Sequence, residues 1–145
     1  GRAGAGATPG GLPAGCGGHP GAAAAARVTL ETIQEEGLVE NSRRIGQMML
    51  AEVQRWEREI PIVKDARGRG LMIGFDIVEP GTDTLLDKKI TRQIFDKCLG
   101  RGVLSMIYNP EVRINPPLVI NEELAMEALS ITEDILRETA DSLSR

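Results

Sequence analysis

Ile62-Val63-Lys64-Asp65-Ala66-Arg67-Gly68-Arg69-Gly70-Leu71-Met72-Ile73-Gly74-Phe75-Asp76-Ile77-Val78 is the stretch that decides the fold. Ile62 to Arg67 reads as a strand, and Gly68-Arg69-Gly70 as a turn in which glycine permits positive φ. In the run that follows, Leu71, Ile73, Phe75 and Ile77 alternate with other residues, which puts one apolar face on a second strand. Two strands joined by a short glycine turn predict an antiparallel hairpin. Gly74, inside the second strand, predicts either a bulge or a close approach of another segment. For Arg67 and Arg69, solvation of the turn is the simplest reading.

Working outward, Pro61 closes a long amphipathic helix over Leu38 to Ile60. Ile45, Met49, Val53, Trp56 and Ile60 recur at spacings of three and four, a single apolar stripe. Upstream, alanine-rich Ala22 to Glu36 predicts a first helix, stopped by Gly37. Downstream, Glu79 to Asp83 is a turn. Asp87 to Leu99 predicts a third helix with Leu86, Ile90, Ile94 and Cys98 on its buried side. Cys98 reads there as a small buried hydrophobe and not as a nucleophile. Val103 to Ile107 reads as a strand that pairs with the next extended segment. Asn121 is a good N-cap for a last helix reaching about Ser142, with Leu124, Ala128, Ile131 and Ile135 as its buried line. The order is helix, helix, hairpin, helix, hairpin, helix. It predicts an α+β domain, a small and mostly antiparallel sheet with helices on one face.

Glu111-Val112-Arg113-Ile114-Asn115-Pro116-Pro117-Leu118 carries the chemistry. Val112 and Ile114 favour an extended backbone and point opposite to Arg113. Asn115 precedes a proline and is biased away from the helical region, and Pro117 has no N–H for a ladder. One guanidinium thus sits on a short strand with a rigid end. Such a planar, permanently charged fork suits a carboxylate or a phosphate. A solvated surface arginine is the other reading of the same pattern.

The chain has 145 residues, 41% hydrophobic, 26% charged and only 3% aromatic, as befits one globular domain with an aliphatic core. A net charge of -4 argues against a nucleic-acid partner. No apolar run approaches membrane-span length, and no signal-peptide pattern is present. Cys16 and Cys98 are far apart, and His19 is the only histidine, so a metal centre is not expected. Reduced thiols and a cytoplasmic location are the expectation. Residues 1–21 are nearly all Gly, Ala and Pro, a composition expected of a disordered or non-native lead before a folded 22–145 domain.

Three quoted segments together resemble the class III pyridoxal-phosphate aminotransferases. Val63 to Asp76 resembles their Arg-Gly-x-Gly-Leu hairpin, and Val112 to Ile120 their Arg-x-x-Pro-Pro-Leu strand. Leu30 to Asn41 is similar to their Glu-Glu-Gly-Leu helix junction. The resemblance covers about Gly18 to Ser142 and corresponds to the small C-terminal domain of these fold-type I enzymes. Gly102 to Met106 leans toward dialkylglycine decarboxylase. The resemblance implies amino transfer between an amino acid or amine and a 2-oxo acid, with pyridoxal 5'-phosphate as cofactor and a homodimer as the assembly. It also implies that Arg113 binds the substrate carboxylate.

No catalytic residue is expected within this chain. The Schiff-base lysine and the aspartate on the pyridinium nitrogen belong to the family's large domain, and Lys64, Lys88, Lys89 and Lys97 match neither. In the family, a threonine just before the first helix reaches the cofactor phosphate. Gly15 and Cys16 stand where that threonine and its aromatic neighbour would be, ahead of Gly17-Gly18-His19-Pro20. The stretch upstream of about Gly17 is therefore expected to be foreign to the domain. The alternative reading is a free-standing α+β module that binds a carboxylate metabolite or a partner protein without chemistry.

Overall fold

The computed structural model describes residues 20–144. The chain divides into two compact units, Gly1–Gly37 and Leu38–Arg145. In the first, the described residues form helix α1 (Pro20–Glu35), which buries none of its residues. Its polyalanine start explains its helicity, and Gly37 at φ 62° ends it, as the sequence predicts. The first helix begins two residues earlier than expected, so Pro20 and Gly21 belong to it. The readings on Gly15, Cys16, Gly17, Gly18 and His19 lie outside the described residues.

The second unit is built on helix α2 (Leu38–Glu59) and a three-stranded antiparallel sheet of β1 (Val63–Arg69), β2 (Met72–Ile77) and β3 (Glu111–Ile114), in the order β1-β2-β3. Helices α3 (Lys88–Gly100) and α4 (Glu122–Leu143) complete it. The α+β prediction is met. The α2 stripe of Ile45, Met49, Val53, Trp56 and Ile60 is buried throughout, as are Leu71, Ile73, Phe75 and Ile77 on the inward side of the hairpin. Trp56 meets Phe75 edge to face, with ring centroids 5.9 Å apart. These two rings join helix to sheet at the centre of the aliphatic core. Among the described residues, no helix is long and apolar enough to cross a membrane.

Three expectations are corrected. Val103 to Ile107 is not a strand, and there is no second hairpin; β3 pairs with β2 instead. The segment must carry the chain from the end of α3 back to the open edge of β2. It is held on α3 at both ends, by the Val103 amide on the Cys98 carbonyl at 2.9 Å and the Thr91 hydroxyl on the Tyr108 carbonyl at 2.9 Å. Bonded to α3 in this way, it is not free to pair as an edge strand.

The second correction concerns α4. Leu124 is exposed, and the buried line is Ala125, Leu129, Thr132, Leu136, Thr139 and Ala140 together with the predicted Ile135. The two threonines can be buried because each hydroxyl bonds within the helix, Thr132 to the Ala128 carbonyl and Thr139 to the Ile135 carbonyl.

The third lies in the hairpin. Its turn lies later than Gly68-Arg69-Gly70, and β1 carries a bulge between Lys64 and Arg67. Asp65 occupies it at φ 52°, a conformation aspartate tolerates, and its amide bonds the Glu57 carboxylate at 2.7 Å. Gly74 provides the close approach: a Cβ there would lie 3.2 Å from the Val112 carbonyl oxygen. The β1 strand runs on through Arg69, so the turn is Gly70-Leu71.

Candidate carboxylate site

Arg113 stands on β3 directly opposite Gly74 of β2, and Arg67 stands on β1 opposite the same glycine. Cross-strand partners share a sheet face, so both arginines belong to the side away from the core. Their strand neighbours behave accordingly: Val112 is buried, and Arg113 is exposed. The double proline stops the ladder after Ile114 as predicted. The next turn is fixed from α2, where the Asn41 side-chain amide donates to the carbonyls of Leu118 at 2.8 Å and Ile120 at 3.0 Å. The base of the Arg113 fork is therefore held at both ends.

The electrostatics on this face are uneven. Arg67 bonds the Asp76 carboxylate at 3.0 Å, the Asp65 carboxylate at 2.7 Å and the Asp65 carbonyl at 2.8 Å. Asp76, with further help from the charges of Asp65 and Glu111, holds the Arg67 guanidinium above its ordinary pKa. Arg113 takes part in none of the ion pairs or side-chain hydrogen bonds among the described residues. It borders a polar cavity of about 420 Å³ lined by Arg67, Met106, Asn109, Glu111 and Val112. It also borders an apolar cavity of about 520 Å³, where Ile114, Pro116, Leu129 and the buried, unbonded Ser105 hydroxyl are found. The fork belongs to the outer face with the polar cavity, while the apolar cavity reaches to core residues such as Phe75 and Leu129. An available fork beside a polar space suits a small anion such as a carboxylate.

The structure thus brings Arg113 and Arg67 together, although Arg67 reads in the sequence as turn solvation. Gly74 and Asp76 are part of the same arrangement and are not legible as such. Their signal is the strand register, and the bulge at Asp65 hides that register from simple counting. The lysines are elsewhere. Lys64 pairs with Asp83, Lys97 pairs with Glu138 at 3.3 Å, and Lys88 and Lys89 are exposed at the start of α3. Among the described residues no lysine lines either cavity. No cluster of metal-ligating side chains occurs among them either. Cys98 is fully buried, and burial raises its thiol pKa.

The sequence profile of the family described as Aminotransferase class-III matches residues 5–136. The chain belongs to the class III aminotransferase family. The match begins upstream of the motifs that suggested it, within the glycine-rich lead. Alanine/serine racemase of Pyrococcus horikoshii is 36% identical over 123 residues, covering 83% of this chain and 26% of the racemase. The 4-aminobutyrate aminotransferase of Mycobacterium tuberculosis is 35% identical over 130 residues, covering 88% of this chain and 29% of that enzyme. The solved amine transaminase of an uncultivated Pseudomonas species, in its PLP-bound form, superposes with a TM-score of 0.76 at 30% identity. That match covers 83% of this chain and 28% of the transaminase. This class III aminotransferase chain therefore spans between a quarter and a third of the length of these three relatives.

Proposed function

We propose that this chain is the carboxylate-binding part of a pyridoxal-phosphate-dependent aminotransferase. The enzyme would move an amino group between an amino acid or amine and a 2-oxo acid. The observation that carries the reading is Arg113: a guanidinium with no intramolecular partner, on a strand closed by two prolines, beside a polar cavity. Family membership supports the cofactor, which supplies the electron sink for breaking a bond at the carbon that bears the amine. The residues described here do not fit a ring-attachment site, because no lysine lines either cavity. What this chain contributes is orientation: Arg113 holds the substrate carboxylate in a two-pronged grip.

The direct test is titration of the chain with acetate while the Arg113 Nε–Hε resonance is followed. A saturable shift, lost in Arg113→Gln, supports the reading. An indifferent Arg113 defeats it. Reading all frames upstream of the Val28 codon tests the wider proposal. A large α/β region with a lysine on a strand-end loop supports an aminotransferase. A start codon just before Gly1 with no such region favours the free-standing binding module instead.

A homodimer and a cytoplasmic location belong to the same proposal. The exposed apolar side chains of Leu118 and Val119 support the former, and sedimentation of the enzyme tests it. The likeness of Gly102 to Met106 to dialkylglycine decarboxylase makes carbon dioxide release the second reaction to assay.

A further inference from the structure

Asp76 faces a choice between two arginines. Arg67 on β1 and Arg113 on β3 both stand opposite Gly74, and Asp76 lies two residues further along β2 on the same face. It is a diagonal neighbour of each, within reach of a long side chain. Glu111 stands directly opposite Asp76, two residues from Arg113 on the same strand, so two carboxylates lie within range of the Arg113 fork. Yet Asp76 bonds Arg67, and Arg113 bonds neither.

The backbone shows why. The β1 bulge inserts one extra residue between Lys64 and Arg67, and this brings Arg67 into register with Gly74. Gly74 has no side chain, and the arm of Arg67 lies in the space: its Cγ is 3.9 Å and its Nε 3.8 Å from where a Cβ would be. The guanidinium is then clamped by the carbonyl and the carboxylate of Asp65, the bulge residue itself. Lys64, the residue directly opposite Asp76, turns away to Asp83.

We infer that Arg67 is a positioning residue that occupies Asp76 and thereby keeps Arg113 free for an incoming carboxylate. The inference rests on Arg113 being the carboxylate site. Arg67 lines the same polar cavity, but its guanidinium is already bonded to Asp65 and Asp76, and it acts on the ligand through Asp76. Without it, Asp76 turns to Arg113 and competes with the ligand for the same fork.

The test compares variants of the chain by acetate titration, following the Arg113 Nε–Hε resonance at low salt. In Arg67→Gln, the resonance of the unliganded chain moves toward its acetate-bound position, and acetate binds about two- to fivefold more weakly, the span of an exposed ion pair. Asp76→Asn alone leaves acetate binding as in the parent. Arg67→Gln combined with Asp76→Asn returns both the resonance and the affinity to parental values. Arg69→Gln removes the same charge from the same strand and changes neither, which separates competition from loss of positive field.

Parental acetate affinity in Arg67→Gln overturns the inference and leaves Arg113 as the site. So does a loss that Asp76→Asn fails to repair, or an equal loss in Arg69→Gln. Acetate binding that survives Arg113→Gln instead overturns the proposed site, and this inference falls with it.

Discussion

A Cβ built on Gly46 would collide with the backbone carbonyl of Gly70. The α2 helix therefore rests on the hairpin turn with backbone against backbone. The Ser42 hydroxyl, one turn earlier in α2, accepts the Leu71 amide at 3.2 Å and completes the contact. This seat fixes the hairpin, and with it the row of Arg67, Gly74 and Arg113, relative to the helix.

Gly46→Ala reads this contact by its sign. In an isolated helix, alanine in place of glycine stabilises by about 1 kcal/mol. Here the added methyl must push the turn away, so the expected outcome is a net destabilisation of about 1–3 kcal/mol, as for overpacked cores. Urea unfolding of the chain measures it. A stabilised Gly46→Ala variant would show that helix and turn are not in contact.

Glu133 links the chain's stability to pH. Hydrogen bonds from Arg55, opposed by partial burial and aided by Arg137, pull its pKa from 4.5 down to about 2. Its side chain is only 17% exposed, so solvent screens the Arg55 pair little. Between those two values the unfolded chain binds the proton and the folded chain does not. The stabilisation is therefore complete above about 4.5 and is lost as the pH falls through about 2. Urea midpoints taken at pH 6 and pH 3 should fall further for the parent than for Glu133→Gln. Equal falls would remove Glu133 from the account.

Cys98 should be inert while the chain is folded. It sits on the buried side of α3, and burial holds its thiol in the neutral form. In a Cys16→Ser background, labelling by an aromatic disulfide should follow global unfolding, slowing as stability rises. Fast labelling that ignores added urea would show the α3 face to be open.

Asn41 ties α2 to the segment behind Arg113. Asn41→Ala removes two hydrogen bonds to the Leu118 and Ile120 carbonyls, at an expected cost of about 1–2 kcal/mol in total. The more specific readout is hydrogen exchange at the Ile120 amide, which bonds the Pro117 carbonyl in this turn. Its protection should drop in the variant. Unchanged protection would mean that the prolines alone hold the segment.

Much of this was legible residue by residue. The α2 stripe, the inward side chains of β2, the Asn121 cap and the Gly37 stop follow from local periodicity and backbone preference, which act over a few residues. The buried line of α4 departs from Leu124, Ala128 and Ile131 because the face that turns inward carries Thr132 and Thr139, whose hydroxyls bond the preceding turn of their own helix and so can be buried. The partner of β3 was misread because strand pairing depends on which edge is open in three dimensions, and not on which segment is adjacent in sequence.

Sequence alone determined that Arg113 sits on a short strand closed by prolines, because β-branched neighbours and the missing proline N–H act locally. Tertiary structure decided that Arg113 remains unpaired. That outcome depends on register, and the register depends on a single extra residue at Asp65. The bulge carries Arg67 opposite Gly74 and within reach of Asp76. A carboxylate between two equivalent arginines goes to the one whose arm is already packed and clamped, because less conformational freedom is lost there.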